Sequence, residues 1–224
     1  YLISEGIKPE TIFKIGSPMK EVLNKNIDKI KSSKILEIEN LKPKEYFLIS
    51  LHREENVDSE TNLKNLLDSI NQISIEYKLP IIISTHPRTR KMLQNVNFNF
   101  DNNIVRFSKP FGFHDYNHLQ MNAFCVISDS GTITEETSIL NLTSITIREA
   151  HERPEGMDEG TLIMTGLKKH NILESIKIVT DQNIKNNKLN SLIGDYEVES
   201  VSRKVVRIIC SYVDYVNRTV WSKI

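Results

Sequence analysis

The chain has 224 residues, of which 39% are hydrophobic and 26% are charged. This balance is ordinary for a folded soluble protein and excludes a disordered or fibrous one. The 29 basic and 29 acidic side chains cancel, so no global positive field draws the chain to nucleic acid or an anionic membrane, and neither is an expected partner. An anionic ligand would need a local site.

Neither the cysteines nor the N-terminus indicates export. Cys125 and Cys210 lie far apart in apolar surroundings, which favours a reducing compartment, and we expect both to be core residues. No apolar run approaches the roughly 20 residues that span a bilayer, and no signal pattern opens the chain. We therefore expect a cytoplasmic protein. Residues 1–6 lack an initiator Met and are typical of a helix closed by glycine, so we expect the chain to begin within a longer protein.

Short apolar runs alternate with helical patterns along the chain. The runs predict strands at 11–15, 46–51, 80–85, 103–107, 124–128, 144–147 and 162–164. Parallel strands need long crossovers, so the alternation predicts an α/β fold with a doubly wound, mostly parallel, Rossmann-like sheet. Ligands of such sheets sit beyond the carboxyl ends of the strands. Residues that directly follow a strand are therefore the candidates for chemistry.

Helices are predicted on both sides of these strands. Residues 17–45 indicate a helix and a charged connector, 60–78 a helix with one apolar face, and 171–180 another helix. Around 199–218 we expect a long amphipathic helix whose apolar stripe is formed by Val201, Val205, Ile208, Ile209, Tyr212 and Val216.

Two histidine-containing segments follow predicted strands. His52-Arg53-Glu54-Glu55-Asn56 follows the strand at 46–51, and its histidine could act as an acid or base near neutral pH. A loop histidine bonded to backbone, beside solvated charges, explains the same residues. After the strand at 80–85 come His86, Pro87 and two arginines, which suit an anion or, alternatively, a proline turn with solvated arginines.

The segment after the strand at 124–128 gives the strongest signal. Ser130 and Gly131 form a small-residue turn before a helix, where free backbone N–H groups suit a diphosphate. A structural alternative is a capping box with Thr132 as N-cap and Glu135 reaching back to it, and the two can coexist. Glu136 in the first turn would repel phosphate, so it makes better sense as an acceptor for ribose hydroxyls.

Two further loops lie on the expected ligand side. Residues 148–160 form a dense polar loop with Pro and Gly after the strand at 144–147, and it is either part of the site or a solvated surface. Residues 109–116 carry aromatic side chains, including Tyr116, that could stack on a nucleobase or belong to the core.

Taken in order, these segments resemble the non-hydrolysing UDP-N-acetylglucosamine 2-epimerases over most of residues 1–170. The longer form of the loop 148–160 is most similar to the branch that acts on UDP-linked amino sugars in capsule or O-antigen synthesis, including the epimerase for the UDP-N-acetyl-L-fucosamine precursor. The resemblance rests on residues 12–18, His52-Arg53-Glu54-Glu55-Asn56, Ser128-Asp129-Ser130-Gly131 with Glu135-Glu136, and Glu152-Arg153-Pro154-Glu155.

The resemblance implies the C-terminal half of a glycosyltransferase-B-like fold, with a UDP-sugar between two Rossmann-like halves. It implies a remnant of the N-terminal domain at 1–16, a helix and connector at 17–45, a UDP-binding domain at 46–198, and a C-terminal helix at 199–224 that packs across the domains. A homodimer is expected of the full-length enzyme. The reaction inverts C2 by elimination and re-addition of UDP, with no metal and no nicotinamide cofactor.

By the same resemblance, the diphosphate would lie on Ser130 and Gly131. Thr132 departs from the common Ser-Gly-Gly pattern of the family. The remaining roles implied are catalysis by His52, and binding of the UDP-sugar by Arg53, His86, Tyr116 near uracil, Thr132, Glu136 at the ribose, and Arg153.

The carboxylate bases of the family belong to the N-terminal domain, and no stretch of this sequence resembles it. We therefore expect a truncated chain that binds UDP without turnover. Two alternatives stay open, a UDP-sugar-dependent glycosyltransferase of the same fold and a non-catalytic nucleotide-binding module. The His-Arg-Glu-Glu-Asn and Glu-Arg-Pro-Glu pair favours the epimerase.

Overall fold

Strands and helices alternate through the part of the chain that the structure describes. The computed structural model describes residues 1–51, 59–85, 98, 100–101, 103–150, 152–185 and 193–223, and only the backbone of 183–185. Its strands are β1 (Phe47–Leu51), β2 (Ile81–Thr85), β3 (Val105–Ser108), β4 (Cys125–Ser128), β5 (Ser144–Thr146) and β6 (Ile163–Met164). Its helices are α1 (Met19–Lys31), α2 (Ile35–Ile38), α3 (Glu60–Tyr77), α4 (Phe113–Asn122), α5 (Ile133–Leu140), α6 (Pro154–Asp158), α7 (Lys169–Lys185) and α8 (Val201–Thr219).

All of these strands are parallel and form one sheet in the order β3-β2-β1-β4-β5-β6. The chain runs outward from β1 to β3, returns to the centre, and runs outward again from β4 to β6. This arrangement confirms the predicted doubly wound α/β fold. The strand order reverses between β1 and β4, and the carboxyl ends at such a reversal are where these sheets bind ligands.

Helices cover both faces of the sheet, so its central strands β1, β2, β4 and β5 are buried. On one face, Phe47 and Ile49 of β1 share a buried cluster with Leu66 of α3. On the other face, Leu48 of β1 shares a second cluster with Leu119 of α4. Burying each such side chain contributes about 1.5–3 kcal/mol, so these two clusters stabilise the sheet that carries the strand ends.

The longest crossover helix, α3, shows how local sequence sets the limits of an element. The hydroxyl of Ser59 accepts a hydrogen bond from the N–H of Asn62 at 3.3 Å and caps the first turn. The helix ends at Tyr77, and the next residue, Lys78, has a left-handed φ of 53°. The buried side chains between these limits are Leu63, Leu66, Leu67, Ser69, Ile70, Ile73 and Ser74, which confirms the predicted apolar face.

The register of the sheet aligns short hydroxyl side chains at the carboxyl ends of its strands. Ser50 of β1 lies opposite Ser84 on one side and Ser128 on the other, and Ser128 lies opposite Thr146. Aligned residues project to the same face, and two residues earlier that face carries Leu48, which packs towards α4. The hydroxyls therefore form a row, which we call the hydroxyl row, beneath the start of the strand-end loops.

The predicted strand at 11–15 is wrong. Pro9–Thr11 form a short 3₁₀ helix, and Ile12 continues in extended conformation without pairing to any strand of the described sheet. The backbone bonds of this segment go elsewhere, as in the carbonyl of Lys14, which accepts from Nζ of Lys204 at 2.6 Å. An apolar extended run is not enough for a strand, because a strand also needs a partner.

The described chain divides into two compact units, 26–193 with the sheet and 1–25 with 194–224. In the second unit, the Glu21 carboxylate accepts hydrogen bonds from the hydroxyl and the N–H of Ser202 and thereby caps α8. These bonds lower the pKa of Glu21. The predicted boundaries after residues 16, 45 and 198 stay predictions.

The long helix α8 is amphipathic, as predicted, but it does not bury its cysteine. Phe13 packs edge-on against Tyr212 with ring centroids 4.8 Å apart, whereas Cys210 is exposed. The prediction that Cys210 is a core residue is therefore wrong, because it lies off the apolar stripe. Cys125 of β4 is fully buried, as expected, and burial raises its pKa. None of the helices in the described ranges is both long and apolar enough to cross a membrane.

Candidate functional site

The turn between β4 and α5 lies at the point where the strand order reverses. Its first residue, Asp129, is fully buried, and the N–H of Asp129 donates to the carbonyl of Ser50 on β1 at 3.3 Å. The N–H of Ser130 donates to Oγ of Ser128 at 3.1 Å, and the N–H of Thr132 donates to Oγ of Ser130 at 3.3 Å. Hydroxyl groups of the turn itself thus hold its shape.

The capping box predicted at the start of α5 does not form. Thr132 precedes the helix in helical conformation and its side chain caps no N–H group; its hydroxyl instead lies 2.9 Å from Oγ of Ser130. The Glu135 carboxylate pairs with Nε of Arg153 at 3.1 Å rather than reaching back to Thr132. The salt bridge prevails because a guanidinium compensates the charge of a nearly buried carboxylate better than a single N–H group does.

Three charged side chains converge on Gly131. A methyl group at Gly131 would lie 2.6 Å from Nη1 of Arg153, 2.6 Å from Oε2 of Glu152 and 3.3 Å from Nη1 of Arg148. A side chain at this position would displace these charged groups. The polar loop 148–160 therefore lies over the turn, next to the positive end of α5.

Arg148 is a buried cation that the sequence reasoning did not single out. It is 5% exposed, and its Nε donates to the carbonyl of Ala150 at 2.7 Å. Its Nη2 pairs with Oε1 of Glu152 at 2.8 Å, while its Nη1 has no hydrogen-bond partner among the described residues. The available signal was its position, since it directly follows the buried strand predicted at 144–147.

Glu136 is a partly buried carboxyl on the first turn of α5. Its Oε2 accepts a hydrogen bond of 2.7 Å from Nε2 of Gln120, and the hydroxyl of Thr132 is a second donor. Burial raises the pKa of Glu136, and these two hydrogen bonds act against that rise. Gln120, on α4, was also missed, because a glutamine in a helix looks like any surface residue in sequence.

Tyr116 lies one helical turn before Gln120 on α4. Its side chain packs beside the apolar cluster under α4, and burial raises the pKa of its hydroxyl, which interacts with Ser50 and Gln120. Tyr116, Gln120, Glu136 and Thr132 thus form a connected polar path that runs from α4 to the turn.

Six of the nine predicted site residues are described, and they lie along this path or beside Gly131. They are Tyr116, Ser130, Gly131, Thr132, Glu136 and Arg153. The predicted His52, Arg53 and His86 lie outside the described residues; β1 and β2, which they follow, are adjacent strands. Within the described ranges, no group of three or more His, Cys, Asp or Glu side chains could hold a metal ion.

The sequence matches the family model described as UDP-N-acetylglucosamine 2-epimerase over residues 1–210. The UDP-N-acetylglucosamine 2-epimerase of Methanococcus maripaludis is 35% identical over 189 residues, which are 81% of this chain and 51% of that protein. That of Methanocaldococcus jannaschii is 32% identical over 194 residues, with the same shares of 81% and 51%. The chain thus spans about half the length of the curated relatives it matches.

Solved structures give the same result. The structure of UDP-N-acetylglucosamine 2-epimerase from Rickettsia bellii is 51% identical with a TM-score of 0.89, covering 100% of this chain and 59% of that one. The Methanocaldococcus jannaschii enzyme in complex with UDP-GlcNAc and UDP is 30% identical with a TM-score of 0.82, covering 94% of this chain and 57% of that one.

Proposed function

The chain belongs to the UDP-N-acetylglucosamine 2-epimerase family, and from this premise we propose that it binds the UDP part of a UDP-N-acetylhexosamine for inversion at C2 of the sugar. The observation that carries the proposal is the turn 129–132, where arginine side chains converge on Gly131 at the reversal of the strand order. A crystal structure of the related Methanocaldococcus jannaschii enzyme contains UDP-GlcNAc and UDP, which supports this ligand class.

The diphosphate lies against Ser130 and Gly131. The start of α5 offers backbone N–H groups that the Thr132 side chain does not cap, and the helix dipole favours an anion there. Arg153 contributes a guanidinium whose Nη1 already lies beside Gly131, while Glu135 holds its other side. Arginine suits this role because its fork matches phosphate oxygens.

The nucleoside lies along the path between α5 and α4. Glu136 accepts hydrogen bonds from the ribose hydroxyls, and the donors on Gln120 and Thr132 favour the ionised carboxylate that this role needs. The uracil lies near the ring of Tyr116, whose hydroxyl is oriented by neighbours on β1 and α4.

The reaction removes the C2 proton, eliminates UDP to a glycal, and adds UDP back after protonation at the opposite face. His52 acts as a catalytic acid or base, and Arg53, His86 and Thr132 complete the binding of the UDP-sugar. Groups that stabilise departing UDP lower the barrier to elimination, and this chain supplies them. The carboxylate that takes the C2 proton is not among its proposed residues, so the chain alone binds UDP without turnover.

The biological setting is proposed from the loop 148–160, whose long form favours the branch that prepares amino sugars for capsule or O-antigen, such as the UDP-N-acetyl-L-fucosamine precursor. We place the protein in the cytoplasm and propose that the full-length enzyme is a homodimer.

The test is calorimetric titration of the folded chain with UDP, with uridine as the matched ligand that lacks the diphosphate. We expect one UDP per chain and at least tenfold weaker binding of uridine, about 1.4 kcal/mol or more. Arg153→Gln should weaken UDP binding, whereas Arg106→Gln, a control on β3 that donates to the carbonyl of Glu39, should not.

Absence of UDP binding by a folded sample would refute the proposal. Incubation of the chain with UDP-N-acetylglucosamine tests the proposed lack of turnover. Formation of a C2 epimer by this chain alone would show that the carboxylate base lies within it.

A further inference from the structure

Glu152 occupies the place where a ligand phosphate would meet the two arginines. Its Oε1 lies 2.8 Å from Nη2 of Arg148, and its Oε2 lies 3.9 Å from Nη1 of Arg153. The same Oε2 would be 2.6 Å from a methyl group at Gly131. A carboxylate therefore bridges two guanidiniums directly over the turn that we propose as the diphosphate site.

The two arginines do not depend on Glu152 for their positions. Nε of Arg148 donates to the carbonyl of Ala150, and Nε of Arg153 pairs with Glu135. Each guanidinium is thus anchored on one side and presents its other side to Gly131. Both would stay in place if the bridging carboxylate left.

Glu152 is the most exposed member of this group. Its side chain is 51% exposed, against 5% for Arg148 and 26% for Arg153. Ion pairs with an exposed partner are worth little, typically under about 1 kcal/mol. A diphosphate carries more charge and more acceptor atoms than one carboxylate, so it would compete well for the same donors.

Arg148 has a hydrogen-bond donor, Nη1, that the Glu152 carboxylate does not satisfy. Its Nη1 is buried, has no hydrogen-bond partner in the described ranges, and would lie 3.3 Å from a methyl group at Gly131. A buried donor without a partner costs about 1–3 kcal/mol. A ligand oxygen at the turn would satisfy it, which gives this buried cation a reason to be there.

We propose that Arg148 is a further diphosphate-binding residue and that the Glu152 carboxylate is its resident counter-ion, which the diphosphate displaces on binding. The inference rests on the proposed function, since it specifies how the same site receives its ligand. No bond is made or broken in this exchange; Glu152 leaves the guanidinium pair for solvent, and phosphate oxygens take its hydrogen-bond donors.

The exchange makes an unusual prediction, namely that removing a charged residue from the site improves binding. Glu152→Gln should bind UDP about three- to thirtyfold more tightly, because the neutral amide competes less for the arginines and repels phosphate less. It should bind inorganic pyrophosphate more tightly as well. Without ligand, its melting temperature should fall, because buried Arg148 loses its counter-ion.

The control is Glu149→Gln, which removes the same charge from an exposed residue of the same loop and should leave both affinities unchanged. Arg148→Lys keeps the charge but not the fork, and should weaken UDP and pyrophosphate binding about tenfold. In the double variant Arg148→Lys with Glu152→Gln, the gain from Glu152→Gln should shrink, because its source is the freed arginine.

Equal or weaker UDP and pyrophosphate binding by Glu152→Gln overturns the exchange, because Glu152 would then only support the fold. That result is distinct from failure of the proposed function, in which the unaltered chain binds no UDP. Should Glu152→Gln gain pyrophosphate affinity while no variant binds UDP, the exchange stands and the nucleotide assignment falls.

Discussion

Nε2 of Gln120 lies 2.7 Å from Oε2 of Glu136, and this single hydrogen bond joins α4 to the first turn of α5. It connects the side chain expected at the ribose with the helix that carries Tyr116. The bond also keeps a donor beside a carboxyl whose burial favours the neutral form. Four predictions follow from this region and its surroundings.

Gln120→Met removes this donor while keeping a side chain of similar length. We expect the pKa of Glu136 to rise further and UDP affinity to fall about tenfold, because a hydrogen bond to a charged group contributes roughly 1.5–3 kcal/mol. Calorimetric titration at pH 7.5 measures the change. Gln182→Met, on an exposed position of α7, is the matched control. Unaltered UDP affinity of Gln120→Met would remove Gln120 from the site.

Glu136→Gln should make the fold more stable at neutral pH while abolishing UDP binding. Burial raises the folded-state pKa of Glu136 above its ordinary value of 4.5. A raised pKa contributes stability that is complete below the unfolded-state pKa and is lost as pH rises through the folded-state pKa. The unaltered chain therefore carries a penalty at pH 7–8 that the amide avoids.

Thermal unfolding against pH checks this sign. The melting temperature of Glu136→Gln should exceed that of the unaltered chain at pH 8, and the difference should vanish near pH 3, where a carboxyl with the ordinary pKa of 4.5 is largely neutral even when unfolded. A difference that does not depend on pH would contradict the burial argument.

Gly131→Ala should block the ligand more than it harms the fold. Its methyl group would meet Glu152 and Arg153 at 2.6 Å, and both contacts are ends of long side chains that can move. We expect at least tenfold weaker UDP binding with a change in unfolding free energy below about 1 kcal/mol. Gly194→Ala, whose methyl group would meet nothing within 4 Å, is the control. Undiminished UDP binding would place the diphosphate elsewhere.

Gly156→Ala should destabilise the fold through a single contact. Its methyl group would lie 2.0 Å from Cγ2 of Thr134, so α6 and α5 would have to separate. Overpacking of this kind costs about 1–3 kcal/mol, measurable by urea unfolding. Thr134→Ser removes Cγ2, so the double variant should recover most of the loss, with Thr134→Ser alone as the reference. Failure of the second change to rescue the first would mean that the strain has another source.

The architecture was predictable because the buried strands of a parallel sheet appear in the sequence as short apolar runs separated by helices. Runs such as 46–51 and 80–85 are apolar except at their carboxyl ends, because these central strands are buried on both faces. Each structural strand lies within two residues of its predicted bounds. The predicted strand at 11–15 failed because periodicity reports which backbone is extended and apolar, but pairing depends on a distant partner.

The candidate site was predictable where a residue follows a strand and unpredictable where tertiary contacts decide its role. Ser130, Gly131 and Arg153 stood out by position and residue type. Arg148 stood out less because its burial, at 5% exposed, is a property of the fold rather than of its neighbours in sequence. The capping box failed for a similar reason, because Glu135, which was expected to cap the helix, pairs with Arg153 from a later part of the chain.

The hydroxyl row marks the boundary between the apolar core and the polar carboxyl ends of the strands. Leu48 lies two residues before Ser50 on β1, a rise of roughly 6.6 Å, and the same step separates Val126 from Ser128 on β4. Along each strand, the side chains that face the same helices thus change from apolar to polar within two residues. A nucleotide bound at the proposed site would therefore meet hydroxyl groups at the strand ends, and the apolar layer would lie two residues further back along each strand.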